Sequence, residues 1–494
     1  MKKVSLEKYF VGLSKDSLIY GLGNAALRIL ALLTAPIFTR IFIPAEYGII
    51  SLIASVISFL SVFLLFGLDN AIFVFFYQYK KQQKVVLSSA FWFLLVWGLL
   101  LMIFCGFFAG EISEIIFKTI AYKILFLLAF VTAYLTLLIN FVKVVFRLHF
   151  QAKIFALTMA FNALITTGLM ILFVVYFKNG LLGYFEGQLI GTAASVVLAL
   201  GLIRKDLELK INFSRLREMV SFGAMVVPAS VSFFIFDLSD RFFLNHYRGL
   251  EELGLYSIGI NIAGLIVFFS YAFGQAWSPQ VMKIYFESKK IFLQFVPRFF
   301  DYYLVFFLGL AVLLSLFSPE ILRVFATPKF YGASSVVGPL ALAMVFAATN
   351  QVTSLGINIS RQTKYLALYT GLAALINIIL NFALIPRFGM IGAAWATVIS
   401  YLFLTISYFI SSQRFVFLKL DWQKIIKLVL LNLAIMFFGP KLWLFGFWPN
   451  LAIKILEFGF LLVLLYLFGV IEKQEIQYLR IYLKKFFKII RRGK

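Results

Sequence analysis

"QAKIFALTMAFNALI" (residues 151–165) and "QTKYLALYTGLAALI" (residues 362–376) lie 211 positions apart and share seven of fifteen residues. Two further pairs occur at similar spacing. "EYGIIS" (46–51) matches "ELGLYS" (252–257) at an offset of 206, and "GLLG" (180–183) matches "GMIG" (389–392) at 209. Small and apolar residues dominate membrane helices, so one such pair is a weak signal. Three pairs in one order at similar offsets indicate that the chain contains two copies of one unit.

The composition says what that unit is made of. Apolar residues make up 63% of the chain, against about 45–50% in soluble domains. Charged residues are 13%. Apolar runs of about 18 to 25 residues recur along the whole length, each able to cross a hydrocarbon core as a helix. No long polar surface separates them. The sequence therefore predicts an all-α polytopic membrane protein with about fourteen transmembrane helices. These lie near 17–39, 45–68, 85–109, 118–141, 152–176, 181–203, 218–240, 253–275, 298–317, 332–356, 364–385, 389–411, 424–439 and 450–470. The start of the chain lacks a short apolar core with a small-residue cleavage site, so the first span is expected to direct its own insertion.

Placed on these spans, the repeat relates helices 1–6 to helices 7–12. The predicted organisation is a six-helix lobe over 1–206, a second over 207–414, and an addition over 415–494 comprising helices 13–14 and a basic tail. Six is an even number, so both copies enter the membrane in the same sense and the symmetry axis runs along the membrane normal. Parallel repeats of this kind make two lobes around a central cavity, which points to a transporter.

Orientation follows from the basic residues. With the N-terminus inside, about 33 of the 45 Lys and Arg fall on the inner side and about 11 outside, Arg28 being the remainder. Both termini are then cytoplasmic. The net charge of +24 is mostly this topology signal. It is spread over many short loops, which argues against a nucleic-acid partner. In the tail, Ile476, Leu479, Leu483, Phe486 and Ile490 follow helical spacing beside Arg480, Lys484, Lys488 and Arg491. Such a helix would lie on anionic membrane lipids, or serve only as a solvated topology signal.

"TRIFIPAEYGIISL" (39–52) resembles the first-loop signature of the polysaccharide (O-antigen type) flippases, a family of the multidrug/oligosaccharidyl-lipid/polysaccharide exporter superfamily. "DRFFLNHYRGLEELGLYSIG" (240–259) and "LINIILNFALIPRFGMIGAAWATVISY" (375–401) are similar to the matching segments of that family's second half. The resemblance implies a transporter in a bacterial or archaeal cytoplasmic membrane. Its cargo would be a polyprenyl-pyrophosphate-linked oligosaccharide destined for cell-surface polysaccharide, with a polymerase and chain-length machinery as partners. A peptidoglycan-precursor flippase or a cation-coupled multidrug exporter of the same superfamily are the nearby alternatives. From another class, a membrane-embedded glycan polymerase would need a larger extramembrane loop or a metal site.

An anionic head group needs a hydrophilic path with cations on it. Arg28 lies deep in span 1, with Asn24 one turn earlier on the same face. Arginine suits phosphate because its planar fork donates two parallel hydrogen bonds. An ion pair with a carboxylate on another helix is the alternative. Lys143 and Arg147 follow span 4 and would share a face with Asn140, as a phosphate-collecting entrance or as ordinary positive-inside anchors. At the end of span 7, Asp237 and Arg241 stand at i,i+4 and are expected to pair, leaving Asp240 for another partner or a proton. Glu186 in span 6 is similarly isolated. These three acids are the candidates for ion coupling, or else stabilise helix ends. Pro228 within span 7 predicts a kink.

Other chemistry is sparse. Cys105 is the only cysteine and reads as packing. His149 and His246 stand far apart, no cluster has metal-ligand spacing, and no nucleotide or nucleophile motif is present. No catalytic residue and no cofactor are expected. Gly48, Gly254 and Gly392 read as packing or turn positions. Trp277, Trp422 and Trp448 are expected in an interfacial belt.

Overall fold

The computed structural model describes residues 34–439 and 446–469. Arg28, Asn24 and the basic tail fall outside the described residues. Within them the chain is all-helical. Helix α1 covers the described residues 34–41. It is followed by α2 (Pro44–Leu65), α3 (Leu68–Gln78), α4 (Gln83–Phe107), the short α5 (Ala109–Phe117), α6 (Lys123–Leu148), α7 (Ala152–Ile171) and α8 (Gly180–Ile203). The second half comprises α9 (Phe213–Arg248), α10 (Leu250–Ala263), α11 (Leu265–Glu287), α12 (Lys289–Leu316), the short α13 (Ser318–Phe325), α14 (Ser334–Thr353), α15 (Leu355–Ile359) and α16 (Lys364–Gln413). Helices α17 (Trp422–Phe438) and α18 (Phe447–Leu467) complete it.

Eleven helical stretches among the described residues are long and apolar enough to cross a membrane. The chain is a multi-pass membrane protein. One of the stretches, α16, contains both predicted spans 11 and 12: at 50 residues it carries a non-helical residue, Gly389, with φ 57° and ψ −137°. Helix α17 covers predicted span 13 with 17 residues.

Local chemistry explains where helices begin and end. Pro44 occupies the first turn of α2, where its missing N–H costs no helical bond. Glu46 Oε2 accepts from the Ile43 N–H at 2.9 Å, closing the turn that leads in. Phe66 and Gly67 both take the left-handed conformation after α2, which ends the helix. Asn212 caps α9, its side-chain oxygen accepting from the Arg215 N–H at 3.1 Å. Some hydroxyls inside the spans return to their own backbone: Ser55 donates to the Ser51 carbonyl and Ser195 to the Gly191 carbonyl, which satisfies those buried donors.

Buried apolar residues segregate by chain half. One cluster runs from Phe236 to Leu465, with Leu52 its single member from earlier in the chain. Two others are drawn from Ile49 to Met219. The halves meet where α2 crosses α10. A Cβ on Gly48 would fall on the Leu250 carbonyl oxygen, and one on Gly254 on the Pro44 carbonyl oxygen. The two contacts are one contact seen twice, since Gly254 and Leu250 are Gly48 and Pro44 displaced by 206 positions. A second correspondence is conformational: Gly180 has φ 55° and Gly389 φ 57°, and the sequence aligns them at an offset of 209. Only glycine adopts this conformation without cost.

Several expectations change in detail. Helix α6 runs on to Leu148, so Lys143 and Arg147 belong to the helix itself rather than following it. The connection between α12 and α14 is occupied by α13 and a 3-10 turn, and that between α4 and α6 by α5; both short helices carry an apolar face that docks on the bundle. Trp277 is buried, its ring stacked on Phe299 at 3.8 Å, because α11 continues ten residues past it. Trp422 and Trp448 are exposed at the first turns of α17 and α18, as an interfacial belt requires.

Candidate functional site: a cavity between the two halves

A cavity of about 570 Å³ lies between the halves of the chain. Its walls come from α1 (Thr34, Phe38, Thr39), α2 (Tyr47), α7 and α8 (Thr167, Tyr184), α9 (Asp237, Asp240, Arg241), α10 (Tyr256, Asn261) and α16 (Thr397). Both halves contribute, so a change in their mutual position would change the cavity. Helix α1 covers the described end of the predicted span 17–39.

At one end of the cavity the two halves are joined by several contacts. Thr39 Oγ1 donates to the Phe325 carbonyl at 3.0 Å, and Thr327 Oγ1 donates to the Thr39 carbonyl at 3.2 Å. Tyr47 meets Phe330 edge to face with centroids 5.2 Å apart. Asn245 Nδ2 donates to the Ile116 carbonyl at 2.7 Å. The glycine contacts of α2 and α10 lie at this same end. Toward the opposite end, α9 leans on the first half: Gly223 packs on Gly67 and Phe66, and Phe222 on Phe75. There the Arg215 guanidinium lies 3.8 Å from the centre of the Tyr79 ring and 2.9 Å from Glu218 Oε1. Tyr79 donates to Glu218 Oε2 at 2.5 Å, and that hydrogen bond raises the pKa of the Tyr79 hydroxyl.

The acids of α9 are arranged differently from the i,i+4 expectation. Arg241 Nη1 donates to the backbone carbonyl of Asp237 at 3.0 Å and stands 3.9 Å from Asp240 Oδ1. Arg241 thus turns toward Asp240. Tyr256 donates its hydroxyl proton to Asp240 Oδ2, while Asp240 Oδ1 has no hydrogen-bond partner. Asp240 is 4% exposed. One turn of contact away, Ser239 donates to Asn377 Oδ1 at 2.8 Å and Asn381 Nδ2 donates to the same oxygen at 2.8 Å. Asn377 Nδ2 and Asn381 Oδ1 remain without partners although both residues are fully buried. Unpaired polar atoms in a membrane interior are costly, and three of them, Asp240 Oδ1, Asn377 Nδ2 and Asn381 Oδ1, lie on this part of the fold.

Other sequence candidates lie elsewhere. Glu186 accepts from Asn179 Nδ2 at 3.1 Å near the start of α8, a local helix-end role outside the cavity lining. Lys143 donates to Asn140 Oδ1 at 3.1 Å. Arg147 rests over the Phe73 ring at 4.8 Å. Tyr256, Asn377, Asn381 and Thr397 escape sequence reading because uncharged polar residues are ordinary in membrane helices and only packing brings these together.

Residues 37–291 match the family described as "Polysaccharide biosynthesis protein". The chain belongs to that family. Its relatives include an uncharacterised membrane protein of Methanocaldococcus jannaschii, 24% identical over 72% of this chain and 75% of the relative. Another is the probable low-salt glycan biosynthesis flippase Agl15 of Haloferax volcanii, 24% identical over 47% of this chain and 49% of Agl15. Among solved structures, the lipid II flippase MurJ superposes with a TM-score of 0.71 at 19% identity, over 91% of this chain and 99% of MurJ. A multidrug resistance MATE transporter of the MOP superfamily superposes with 0.68 at 14% identity, over 78% of this chain and 94% of that one. This polysaccharide biosynthesis protein therefore has the MOP transporter fold.

Proposed function

We propose that the protein flips a polyprenyl-pyrophosphate-linked oligosaccharide across the cytoplasmic membrane by alternating access between two lobes, 1–206 and 207–414. The observation that carries this reading is the cavity walled by both halves, with contacts between the halves toward each end. The family and the printed functions of Agl15 and MurJ support a lipid-linked glycan as cargo.

Basic-residue bias places both termini in the cytoplasm. The end where α2 and α10 cross then faces outward and α9 meets the first half on the inner side. Arg28 and Asn24 would receive the pyrophosphate; Arg28 precedes Ala35 of the cavity wall by seven residues, the sequence spacing of one helix face. Lys143 and Arg147 would draw anionic head groups toward the inner entrance. A pyrophosphate diester carries about two negative charges, and outward movement gains about 2.3 kcal/mol per charge per 100 mV in an inside-negative cell. Asp240, with Asp237 beside it, would add ion coupling.

Two cavity carboxylates also favour a second reading, export of an organic cation. Asp240 weighs against it, being buried and committed to Tyr256 and Arg241, which leaves little for a drug to contact. Deletion of the gene should cause a lipid-linked oligosaccharide to accumulate on the inner face of the membrane. Unchanged lipid-linked glycans together with lost resistance to cationic dyes would support the exporter instead.

A further inference from the structure

A second chamber of about 280 Å³ lies inside the first half, between α2, α6 and α8. It shares Ile50 and Tyr184 with the central cavity, so those two side chains form the partition. We propose that this chamber is a subsite for one uncharged sugar ring of the cargo. The inference rests on the flippase reading and names which part of the cargo goes where.

The hydrogen-bonding inventory selects the ligand. Thr132 Oγ1 donates to the Leu128 carbonyl at 2.8 Å, Thr136 Oγ1 to the Thr132 carbonyl at 2.8 Å, and Ser61 Oγ to the Ser58 carbonyl at 2.6 Å. Their protons are committed to the helices, so toward the chamber these three oxygens can only accept. Asn140 is oriented the opposite way. The Lys143 ammonium has only donors, so it holds Asn140 Oδ1 and leaves the Asn140 NH₂ to be offered elsewhere. Ser58 and Gln188 also line the chamber.

An anion needs donors, and three of the chamber's polar groups cannot donate. A metal cation needs negative charge, and among the described residues no carboxylate lines the chamber, while an ammonium stands behind Asn140. A sugar ring both donates and accepts, and its C–H faces suit the aromatic partition of Tyr184 with Phe185 next to it. The volume of about 280 Å³ falls just below the range of about 300–1,000 Å³ that holds drug-sized ligands, a size that suits one ring. The geometry thus separates the cargo: pyrophosphate on the central cavity side of Tyr184, one sugar beyond it.

The test titrates the full-length protein in nanodiscs with two lipids, polyprenyl pyrophosphate and the same lipid carrying one hexose. Wild-type protein should hold the glycosylated lipid more tightly. Thr136→Val and Gln188→Leu should each weaken that binding about three- to tenfold, the size of one uncharged hydrogen bond. Neither should change the affinity for the bare pyrophosphate. Ser58→Phe, which fills the chamber, should erase the difference between the lipids. Equal wild-type affinity for both lipids, or unchanged glycolipid affinity in all three variants, would overturn the chamber while leaving the flippase reading standing. Competition of glycolipid by sodium alone in wild type and not in Ser58→Phe would reassign the chamber to a cation. Binding of neither lipid above a phosphatidylglycerol control would remove the flippase reading and the subsite with it.

Discussion

Gly48 and Gly254 show how one missing carbon can set a transporter's resting shape. Each lets the facing backbone approach where a Cβ would collide with a carbonyl oxygen, and backbone, unlike a flexible side chain, cannot step aside. Gly254→Val should therefore force α2 and α10 apart. A Phe42→Cys probe, at a site 2% exposed, should become reactive toward an impermeant maleimide only in the Gly254→Val background. Gly371→Ala is the contrast: nothing stands within 4 Å of its added Cβ, so it should raise stability by up to about 1 kcal/mol through helix propensity. Asp240 was legible in the sequence as a charge in an apolar run; its partner Tyr256 was not, because tyrosine is ordinary there and only folding brings the two together. Asp240→Asn keeps shape and a Tyr256 acceptor while removing the charge. If Asp240 couples transport to an ion, this variant should lose the pH or sodium dependence of flipping at normal abundance, and Tyr256→Phe should shift that dependence without abolishing it. An unchanged profile in both would remove Asp240 from coupling. Arg28 gives a matching pair of expectations: Arg28→Ala should lose export at normal membrane abundance, and Arg28→Lys should keep part of it. A fall in abundance for Arg28→Ala would instead mark a buried ion pair, whose broken partner costs about 3–5 kcal/mol.

Helices were the most legible level, since a run of about 20 apolar residues has few other fates. What hydropathy could not show is which helix belongs to which bundle. Helix α9 is the clearest case. At 36 residues it is about 54 Å long, well beyond a hydrocarbon core of about 30 Å. Its first turns pack on the first half through Phe222 and Gly223, and its last turns on the second through Phe236, Ser239 and Arg248. Pro228 sits between the two sets of contacts, where a lost backbone bond weakens the helix. The short α13 was missed for a different reason: its eight residues are too few for hydropathy to register. It carries Glu320, which takes Lys454 of α18 at 2.8 Å on both oxygens, with both residues buried. This pair ties the added C-terminal helices to the segment that reaches Thr39. Lys454→Met should leave a buried carboxylate unpaired and cost about 3–5 kcal/mol, seen as a lower Tm in detergent. Glu320→Gln added to Lys454→Met should recover much of that loss, because the remaining group is neutral.

For the whole molecule, the repeat offsets carried the most information per residue, and their meaning became visible only in space. The sequence aligns Gly48 with Gly254 as equivalent positions; the fold places them against each other's helices, as related positions must lie if an axis passes between α2 and α10. A contact on such an axis is where two rocking bodies part first. The hydrogen bonds of Thr39 with Phe325 and Thr327 flank it, joining the end of α1 to the segment after α13. Alternating access requires these contacts to break once per cycle. A Thr39→Cys, Thr327→Cys double variant should therefore flip cargo when reduced and stop when its cysteines are joined by a short bifunctional maleimide, with cargo binding from the inner side retained. The logic discriminates because a static pore or a scramblase-like groove would not need these two residues to separate. Cross-linked protein that still flips at the reduced rate would show that the two halves need not part at this end, and the alternating-access reading would fail while the MOP fold stood.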